Sequence, residues 1–251
     1  MADITFVDTG AGSNNELTCT PGYPTVVTAT NMLVMSVASR SNNNATPSTP
    51  TGWLAPANNT YNGGSGAFGA DSGNGRITVF YKEALGSETG TVSVATNITP
   101  DTAGFARARI FQFSKASGVW LAPVVDGGVD STAGTAWSVT GSGIDVSPED
   151  HIFAGSCSND ADATYSAHAL AASGITFGAV TELEDQPSFG GSGQRLFGAS
   201  ASITAGSGSG AMTYTATASA TAGNAPAGTT AFVRLRAGGL VYYPLRSDNF
   251  F

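Results

Sequence analysis

Apolar and polar side chains alternate along short stretches of this chain, with the period of two residues that is typical of β-strands. Within residues 106–113, Arg107, Arg109 and Phe111 would lie on one face of a strand and the intervening residues on the other. No window of eleven residues keeps apolar side chains at helical spacing, because Gly or Pro interrupts nearly every stretch. The sequence therefore predicts an all-β fold. The predicted strands are 25–28, 33–38, 77–82, 92–95, 106–113, 136–140, 152–155, 195–200, 212–218 and 231–235.

The order of these signals occurs twice. Residues 26–113 can be laid over residues 144–235 at an offset of about 118–121, with the glycine-containing turns 86–90 and 206–210 in equivalent places. One half alone offers about five strands and would leave open sheet edges, whereas two halves could form two facing sheets around a shared core. We therefore expect a jelly-roll-like β-sandwich with an internal two-fold repeat over residues 1–239, its halves meeting near residues 117 and 118. Two independent domains are the alternative.

Two long loops rich in Gly, Asn and Ser interrupt the pattern, at 41–75 and 159–193. Because each half has one, we expect them to belong to the fold and to gather at one end or flank. Residues 164–166 and 175–177 within the second loop are candidates for additional short strands.

Composition excludes several partners. The 251 residues are 41% hydrophobic but only 11% charged, and the net charge is −8 with Lys82 and Lys115 as the two lysines. These values argue against nucleic acid or an anionic membrane as the partner. The start of the chain has no signal-peptide pattern and no apolar stretch approaches 18 residues. Cys19 and Cys157 are not at metal spacing, and we expect them to remain reduced.

Motifs for catalysis or cofactor binding are missing or out of context. No Gly-x-Ser-x-Gly pentapeptide occurs. His151 opens a predicted strand, and His168 has no carboxylate close by in sequence, so both are interpreted as incidental. The glycine pattern at 64–69 neither follows a βαβ strand nor opens a helix, so it does not predict a dinucleotide site. The oxygen-rich segments 71–75 and 158–162 supply too few ligands for calcium and are interpreted as turns. We expect no enzyme activity, cofactor or metal.

Two further groups of side chains have a structural and a functional interpretation. Glu182, Glu184 and Asp185 form the densest acidic cluster, which we expect on an exposed edge or loop; a glycosidase-like carboxylate pair is the alternative. Large aromatic side chains of a sandwich usually belong to its core. The alternative is that some of them stack on sugars, and the candidates for this role are Trp53, Tyr61 and Tyr165.

Residues 31–113 resemble a domain of tailed-phage and prophage virion proteins. The resemblance is carried by the strand 31–40, by the Pro50-Thr51-Gly52-Trp53 turn, and by the strand 79–84 leading to Gly86-Ser87-Glu88. Similar sequences form jelly-roll-like modules of tail fibres, head fibres and capsid decoration proteins. The second copy departs from the motif, with Gly174-Ile175 in place of Gly-Trp and Gly208 in place of Glu88. The resemblance implies a structural role in a virion.

The C-terminal segment 240–251 follows the repeat and the Gly238-Gly239 pair. Its large side chains either fold back onto the sandwich or form an arm that docks on a neighbouring subunit or virion protein. As an arm, its predicted partner-binding residues are Tyr242, Tyr243, Leu245, Phe250 and Phe251.

The expected function is therefore that of a non-enzymatic virion protein, most specifically a capsid decoration or cement protein assembled in the host cytoplasm. Its expected partners are the major capsid protein or other virion proteins, and further copies of itself, with a trimer matching the three-fold points of a capsid lattice. A tail-fibre or head-fibre module that binds host glycan is the first alternative, and a polysaccharide-degrading enzyme is the second.

Overall fold

Every regular element in the described part of the chain is a β-strand. The computed structural model describes residues 3–15, 17–41, 46–63, 74–98, 105–132, 134–158, 163–186, 195–219 and 228–239. No helix occurs in these ranges, so the all-β prediction is confirmed. It follows that the described ranges also hold no helix able to cross a membrane.

The first half forms one six-stranded antiparallel sheet, the first sheet. Its strands and those of a small neighbouring pair are β1 (Ile4–Thr9), β2 (Ser13–Asn15), β3 (Thr18–Cys19), β4 (Met32–Ser41), β5 (Thr60–Asn62), β6 (Asn74–Glu83), β7 (Val94–Ala95) and β8 (Phe105–Lys115). The order in the sheet is β1-β8-β4-β6-β5, with β2 also paired to β8. The central strand β4 is buried from Met32 to Arg40 because both faces of the sheet are covered. Such a strand shows a continuous apolar run rather than alternation.

The second half forms a sheet of the same kind, the second sheet. The remaining strands are β9 (Val119–Trp120), β10 (Val124–Asp130), β11 (Ala136–Thr140), β12 (His151–Ser158), β13 (Tyr165–Ala172), β14 (Thr176–Phe177), β15 (Thr181–Gln186), β16 (Arg195–Ala205), β17 (Met212–Ala218), β18 (Gly228–Leu235) and β19 (Ala237–Gly238). The order is β10-β18-β12-β16-β14, with β15 also paired to β16. Strands β10, β18, β12 and β16 thus occupy the positions that β1, β8, β4 and β6 occupy in the first sheet.

The entry into the central strand has the same geometry in both sheets. Thr30 lies just before β4 with a φ of 67°, and Glu149 lies just before β12 with a φ of 81°. The Thr30 amide donates to the carbonyl of Ala84 at 2.9 Å, and the Glu149 amide donates to the carbonyl of Ile203 at 3.0 Å. A left-handed residue is uncommon outside glycine, so its occurrence at equivalent places marks the same local turn.

The two sheets face one another and share the middle of three cores. This middle core contains Phe111 and Phe113 of the first sheet together with Phe153 and Val233 of the second. The outer face of the second sheet packs on a three-stranded sheet of order β11-β17-β13. The outer face of the first sheet is covered by the β3-β7 pair and by the segment around Trp53. The molecule is therefore a stack of β layers.

The strand predictions include one false strand, several missed strands and several confirmed ones. Residues 25–28 form no strand, and Val26 is 69% exposed. The sequence pattern missed β1, which pairs with β8, as well as β10 and β15, which pair with β18 and β16. The short strands expected near 164–166 and 175–177 correspond to β13 and β14. The long loops begin and end beside each other, because Ser41 pairs with Asn74 and Ser158 pairs with Arg195.

Candidate functional site

The two sheets approach each other closely along the middle core. The ring centroids of Phe111 and Phe153 are 4.7 Å apart, and Phe113 lies 6.2 Å from Phe153. Gly155 faces Ser36 of the opposite sheet, and a Cβ atom at residue 155 would lie 2.8 Å from the Ser36 Oγ. Gly155 has no side chain, and this permits the close approach of the two sheets. A Cβ atom at this position would make a contact shorter than real Cβ contacts allow.

An ion pair joins the two halves at one side of this core. The pairing of β15 with β16 shifts register between Glu182 and Glu184, so the β-bulge turns both Leu183 and Glu184 inward. Glu184 is only 3% exposed, and its Oε2 accepts a hydrogen bond from the Nη1 of Arg109 on β8. Arg109 is held in turn by the Gly10 carbonyl, which accepts from its Nε at 2.9 Å.

Burial determines the ionisation of Glu184. Removal from water raises the pKa of Glu184 to about 7, and the Arg109 charge and hydrogen bond only partly oppose this rise. The neighbouring Asp185 carboxylate raises it further, while Arg107 lowers it. The second carboxyl oxygen, Oε1, is buried and has no hydrogen-bond partner in the described residues.

Further charges surround this ion pair. Arg195 on β16 pairs through its Nε with the Oδ1 of Asp185, whose Oδ2 accepts the amide hydrogen of Tyr165 at 3.0 Å. Burial lowers the pKa of Arg107, and the nearby Arg195 charge lowers it as well. The cluster thus links β8 of the first sheet with β15 and β16 of the second. Its carboxylates already contact arginines and a backbone amide, an arrangement suited to joining the halves.

The structure corrects the prediction for the acidic cluster. Glu182 is exposed as expected, but Glu184 is buried between the halves. The sequence shows Glu182 and Glu184 two residues apart, which in a regular strand puts both on one face. The β-bulge removes this relationship, because each carboxylate now has a different basic partner: His168 for Glu182 and Arg109 for Glu184. The two are not arranged as a facing pair.

His168 contacts a carboxylate that is distant in sequence. Its Nε2 lies 3.4 Å from the Glu182 Oε2, and its Nδ1 lies 2.6 Å from the Tyr214 hydroxyl. The bulge in β13 and the positive φ of Ala167, 52°, direct His168 toward β17. The sequence pattern could not show this contact, since it depends on how β13, β15 and β17 are brought together.

His151 is buried beside the N-terminal strand. Its Nδ1 lies 3.1 Å from the Ser202 Oγ, and its ring centroid is 5.4 Å from that of Phe113. Burial lowers the pKa of His151 to about 4, with the Ile4 backbone carbonyl acting in the opposite direction. A general base works best when its pKa lies near the ambient pH, so this imidazole is poorly matched to activating Ser202 at pH 7.

The aromatic candidates for sugar stacking are largely inside the molecule. Trp53 is 4% exposed and stacks on Tyr23 at 6.3 Å. Tyr165 is 2% exposed and stacks on Phe197 at 3.7 Å, which leaves neither ring face for a ligand. Tyr61 is half-buried, and its hydroxyl donates to the Val125 carbonyl at 3.3 Å. The expectation that Trp53 and Tyr165 could stack on a glycan is therefore wrong for this structure.

The cysteines are both buried free thiols. They belong to different cores, Cys19 to the one beneath Trp53 and Cys157 to the middle core. Burial raises the pKa of Cys19 to about 12, which makes its thiolate rare at neutral pH. Among the described residues, no group of three or more His, Cys, Asp or Glu side chains could hold a metal ion.

The predicted C-terminal arm lies outside the described residues, as do the glycine pattern at 64–69 and most of the oxygen-rich segments 71–75 and 158–162. Tyr242, Tyr243, Leu245, Phe250 and Phe251 therefore stay predictions. Comparison with known proteins finds no matching family model, no matching curated protein and no matching solved structure.

Proposed function

We propose that this chain is a non-enzymatic structural protein of a tailed-phage particle, and specifically a capsid decoration or cement protein that binds between subunits of the shell. The observation that carries the proposal is the middle core, where two sheets of the same strand order pack into one block. Such stiffness suits a cement protein, because a rigid binding surface loses less of the binding free energy to ordering when it attaches to the shell. Its partner is the major capsid protein or another virion protein, and a trimer matches the three-fold points of a capsid lattice.

The strand order supports a jelly-roll interpretation of each half. With β14 and β15 counted as one, the second half has eight strands from β10 to β18, and its two sheets take the orders 1-8-3-6-5 and 2-7-4. Each sheet thus takes strands from the beginning, middle and end of the unit, which is the interleaving found in double-sheet jelly rolls. In the first half, the β3-β7 pair occupies the 2-7 position. This topology is consistent with the resemblance of residues 31–113 to virion modules.

The alternatives receive less support. A tail-fibre or head-fibre module that binds glycan should present exposed aromatic rings, yet none of the aromatic side chains whose burial the structure describes is exposed. A polysaccharide-degrading enzyme should present two facing carboxylates in a cleft, whereas Glu182 and Glu184 contact different partners.

Co-sedimentation with capsids tests the proposal. Purified full-length protein is mixed with shells that lack it, and binding and the shell's disassembly temperature are measured. We expect saturable binding and a higher disassembly temperature. A chain that ends at Gly239 should fold with an unchanged unfolding midpoint but lose binding, because it lacks the aromatic anchors of the predicted arm.

Two controls make the result specific. Alanine in place of the exposed side chains Leu54 and Leu85 removes apolar surface elsewhere and should leave capsid binding unchanged. Binding of the full-length chain to host cells or polysaccharide, with none to capsids, would replace the cement role with the fibre role. Full binding by the shortened chain would show that the contact lies on the sandwich instead of the arm.

A further inference from the structure

Two segments, 17–30 and 84–95, run antiparallel across the outer face of the first sheet, and together they form what we call the outer ribbon. Strands β3 and β7 pair at one end of it, and further along the Tyr23 amide donates to the Gly90 carbonyl at 3.0 Å. Inward-facing side chains such as Cys19 belong to the core on this outer face. The outer ribbon is therefore the outermost layer of the described residues on this side of the molecule.

The outer ribbon carries the two most exposed large apolar side chains that the structure describes. Leu85 is 76% exposed and Val26 is 69% exposed, and Leu17 at the other end is 52% exposed. The two segments touch beside Leu85, because a Cβ atom at Gly86 would lie 2.9 Å from the Ala29 amide nitrogen. Single exposed aliphatic side chains are common, but several on one surface are typical of an interaction site.

The turn that presents Leu85 is held in place by a carboxylate. The Glu88 Oε1 accepts the Leu85 amide hydrogen at 2.9 Å, and its Oε2 accepts the Gly86 amide hydrogen at the same distance. The Lys82 Nζ lies 2.8 Å from the Glu88 Oε1, and the Glu88 side chain is only 6% exposed. The position of Leu85 is thus fixed before a partner binds, which lowers the conformational entropy lost on binding.

The outer ribbon presents no exposed charge. Fifteen of its residues are exposed and none of them is charged, whereas Glu88, its one charged residue, is covered and paired with Lys82. The chain as a whole carries a net charge of −8, so two copies repel each other where their charged surfaces meet. The neutral ribbon avoids this repulsion, and it offers no ionic group to a strongly charged partner. A second copy of this chain is therefore the occupant that this surface fits.

We propose that copies of this chain associate through the outer ribbon, with Leu85 of each copy packed against Val26 of a neighbouring copy. In a closed symmetric assembly the same surface of every copy takes part. Fifteen exposed residues are fewer than the roughly 20–30 that each partner contributes to a standard interface, so we expect a dissociation constant on the order of 1–100 μM. The contact adds a location to the homo-oligomer of the proposed function, yet it does not rest on a role in a virion.

Sedimentation equilibrium of the full-length chain, without capsids, tests the proposal. Between about 1 and about 500 μM we expect the mean mass to rise from 25.2 kDa toward two or three times that value. Leu85→Asp and Val26→Asp each place a charge in the contact and should weaken association by about tenfold or more. Because both side chains are exposed, the urea unfolding midpoints of these variants should match that of wild type.

Three controls make the result specific. Val119→Asp is matched to Val26→Asp, because Val119 is 52% exposed and lies outside the outer ribbon, and it should leave association unchanged. A mixture of Leu85→Asp with Val26→Lys should recover association, because the two introduced charges have opposite signs and meet in the contact. Higher salt should strengthen association of the wild type, since it screens the repulsion between acidic copies.

The proposal is overturned if the mass stays at 25.2 kDa at every concentration, or if Leu85→Asp associates as strongly as wild type. An equal loss in Val119→Asp also overturns it, because added charge anywhere would then be enough. Weaker association at higher salt would indicate ionic contacts instead of the neutral ribbon. None of these results bears on the capsid contact predicted for residues 240–251, since the measurement contains no capsid.

Discussion

Arg109 of the first half and Glu184 of the second form an ion pair across the contact between the two sheets, with the Arg109 Nη1 bonded to the Glu184 Oε2. These residues are 75 positions apart in sequence. Glu184 is almost fully enclosed, whereas 24% of the Arg109 side chain remains exposed. Protonation of the Glu184 carboxyl group would therefore remove the negative charge that Arg109 contacts between the two halves.

Glu184 should make the protein less stable as the pH rises through neutrality. Its pKa is about 7 in the folded chain and 4.5 ordinarily, so folding favours the protonated form. The stabilisation is complete below pH 4.5 and is lost as the pH rises through 7. The two pKa values correspond to about 3 kcal/mol. We expect the free energy of unfolding of wild type, relative to Glu184→Gln, to fall by about 2–3 kcal/mol between pH 5 and 8.

Urea titrations at a series of pH values provide the measurement. Glu182→Gln is the control, since the Glu182 side chain is 46% exposed and should show no comparable trend. Parallel curves for wild type and Glu184→Gln would show that the Arg109 contact keeps the pKa of Glu184 near its ordinary value.

His151 should act on the acid side, in the opposite direction. Burial depresses its pKa from 6.5 to about 4, so the unfolded chain binds a proton more readily than the folded chain. The stability contribution is present above pH 6.5 and is lost as the pH falls toward 4, by about 3 kcal/mol. A His151→Phe variant should lack this loss. An NMR titration of the ring checks the same point directly, and a midpoint near 6.5 would contradict the prediction.

Gly155→Ala should destabilise the contact between the sheets. The new methyl group would lie 2.8 Å from the Ser36 Oγ and 3.1 Å from the Phe153 ring. Such overpacking costs about 1–3 kcal/mol, measurable by urea unfolding. Adding Ser36→Ala should recover part of the loss by removing the nearer atom. Gly210→Ala is the matched control, because nothing lies within 4 Å of its added Cβ. Equal effects of the two glycine substitutions would contradict close packing at residue 155.

The two halves should unfold in one transition. Trp53 lies in the outer core of the first half and Trp137 in the outer core of the second, so each reports on its own half. In the variant Trp120→Phe/Trp137→Phe, Trp53 is the one remaining tryptophan, and in Trp53→Phe/Trp120→Phe it is Trp137, so excitation at a wavelength selective for tryptophan reports on one half. Replacing a buried Trp shifts each variant's own midpoint, so fluorescence is compared with circular dichroism of the same variant. Coincident curves indicate cooperativity, whereas a separate fluorescence transition would show independent domains.

Local patterns were informative wherever a side chain's environment follows from its strand position. The alternation in β8 correctly separates Arg109 and Phe111, which face the second sheet, from Ala108 and Ile110, which belong to the outer core. The period of two is a property of the backbone itself, so it can be recognised without knowing the partner strand.

The wrong predictions concern segments whose structure depends on pairing with another strand. Residues 4–7 of β1 and residues 25–28 both have good β propensity, but β1 pairs with β8 whereas residues 25–28 have no partner strand. The sequence predicted Glu184 on an exposed edge or loop. The β-bulge that turns its side chain inward depends on the pairing of β15 with β16, which begins about ten residues further along the chain, so no local pattern shows it. Neither the ion pair with Arg109 nor the contact of His168 with Glu182 has a signal in sequence.

By itself, then, the sequence determined the all-β class and the approximate positions of most strands. These depend on side-chain periodicity and turn residues, which act over a few positions. Only the tertiary structure decided that each half builds its own sheet and that Glu184 and His151 are buried. Burial depends on which surfaces meet, and those surfaces come from segments far apart in the chain.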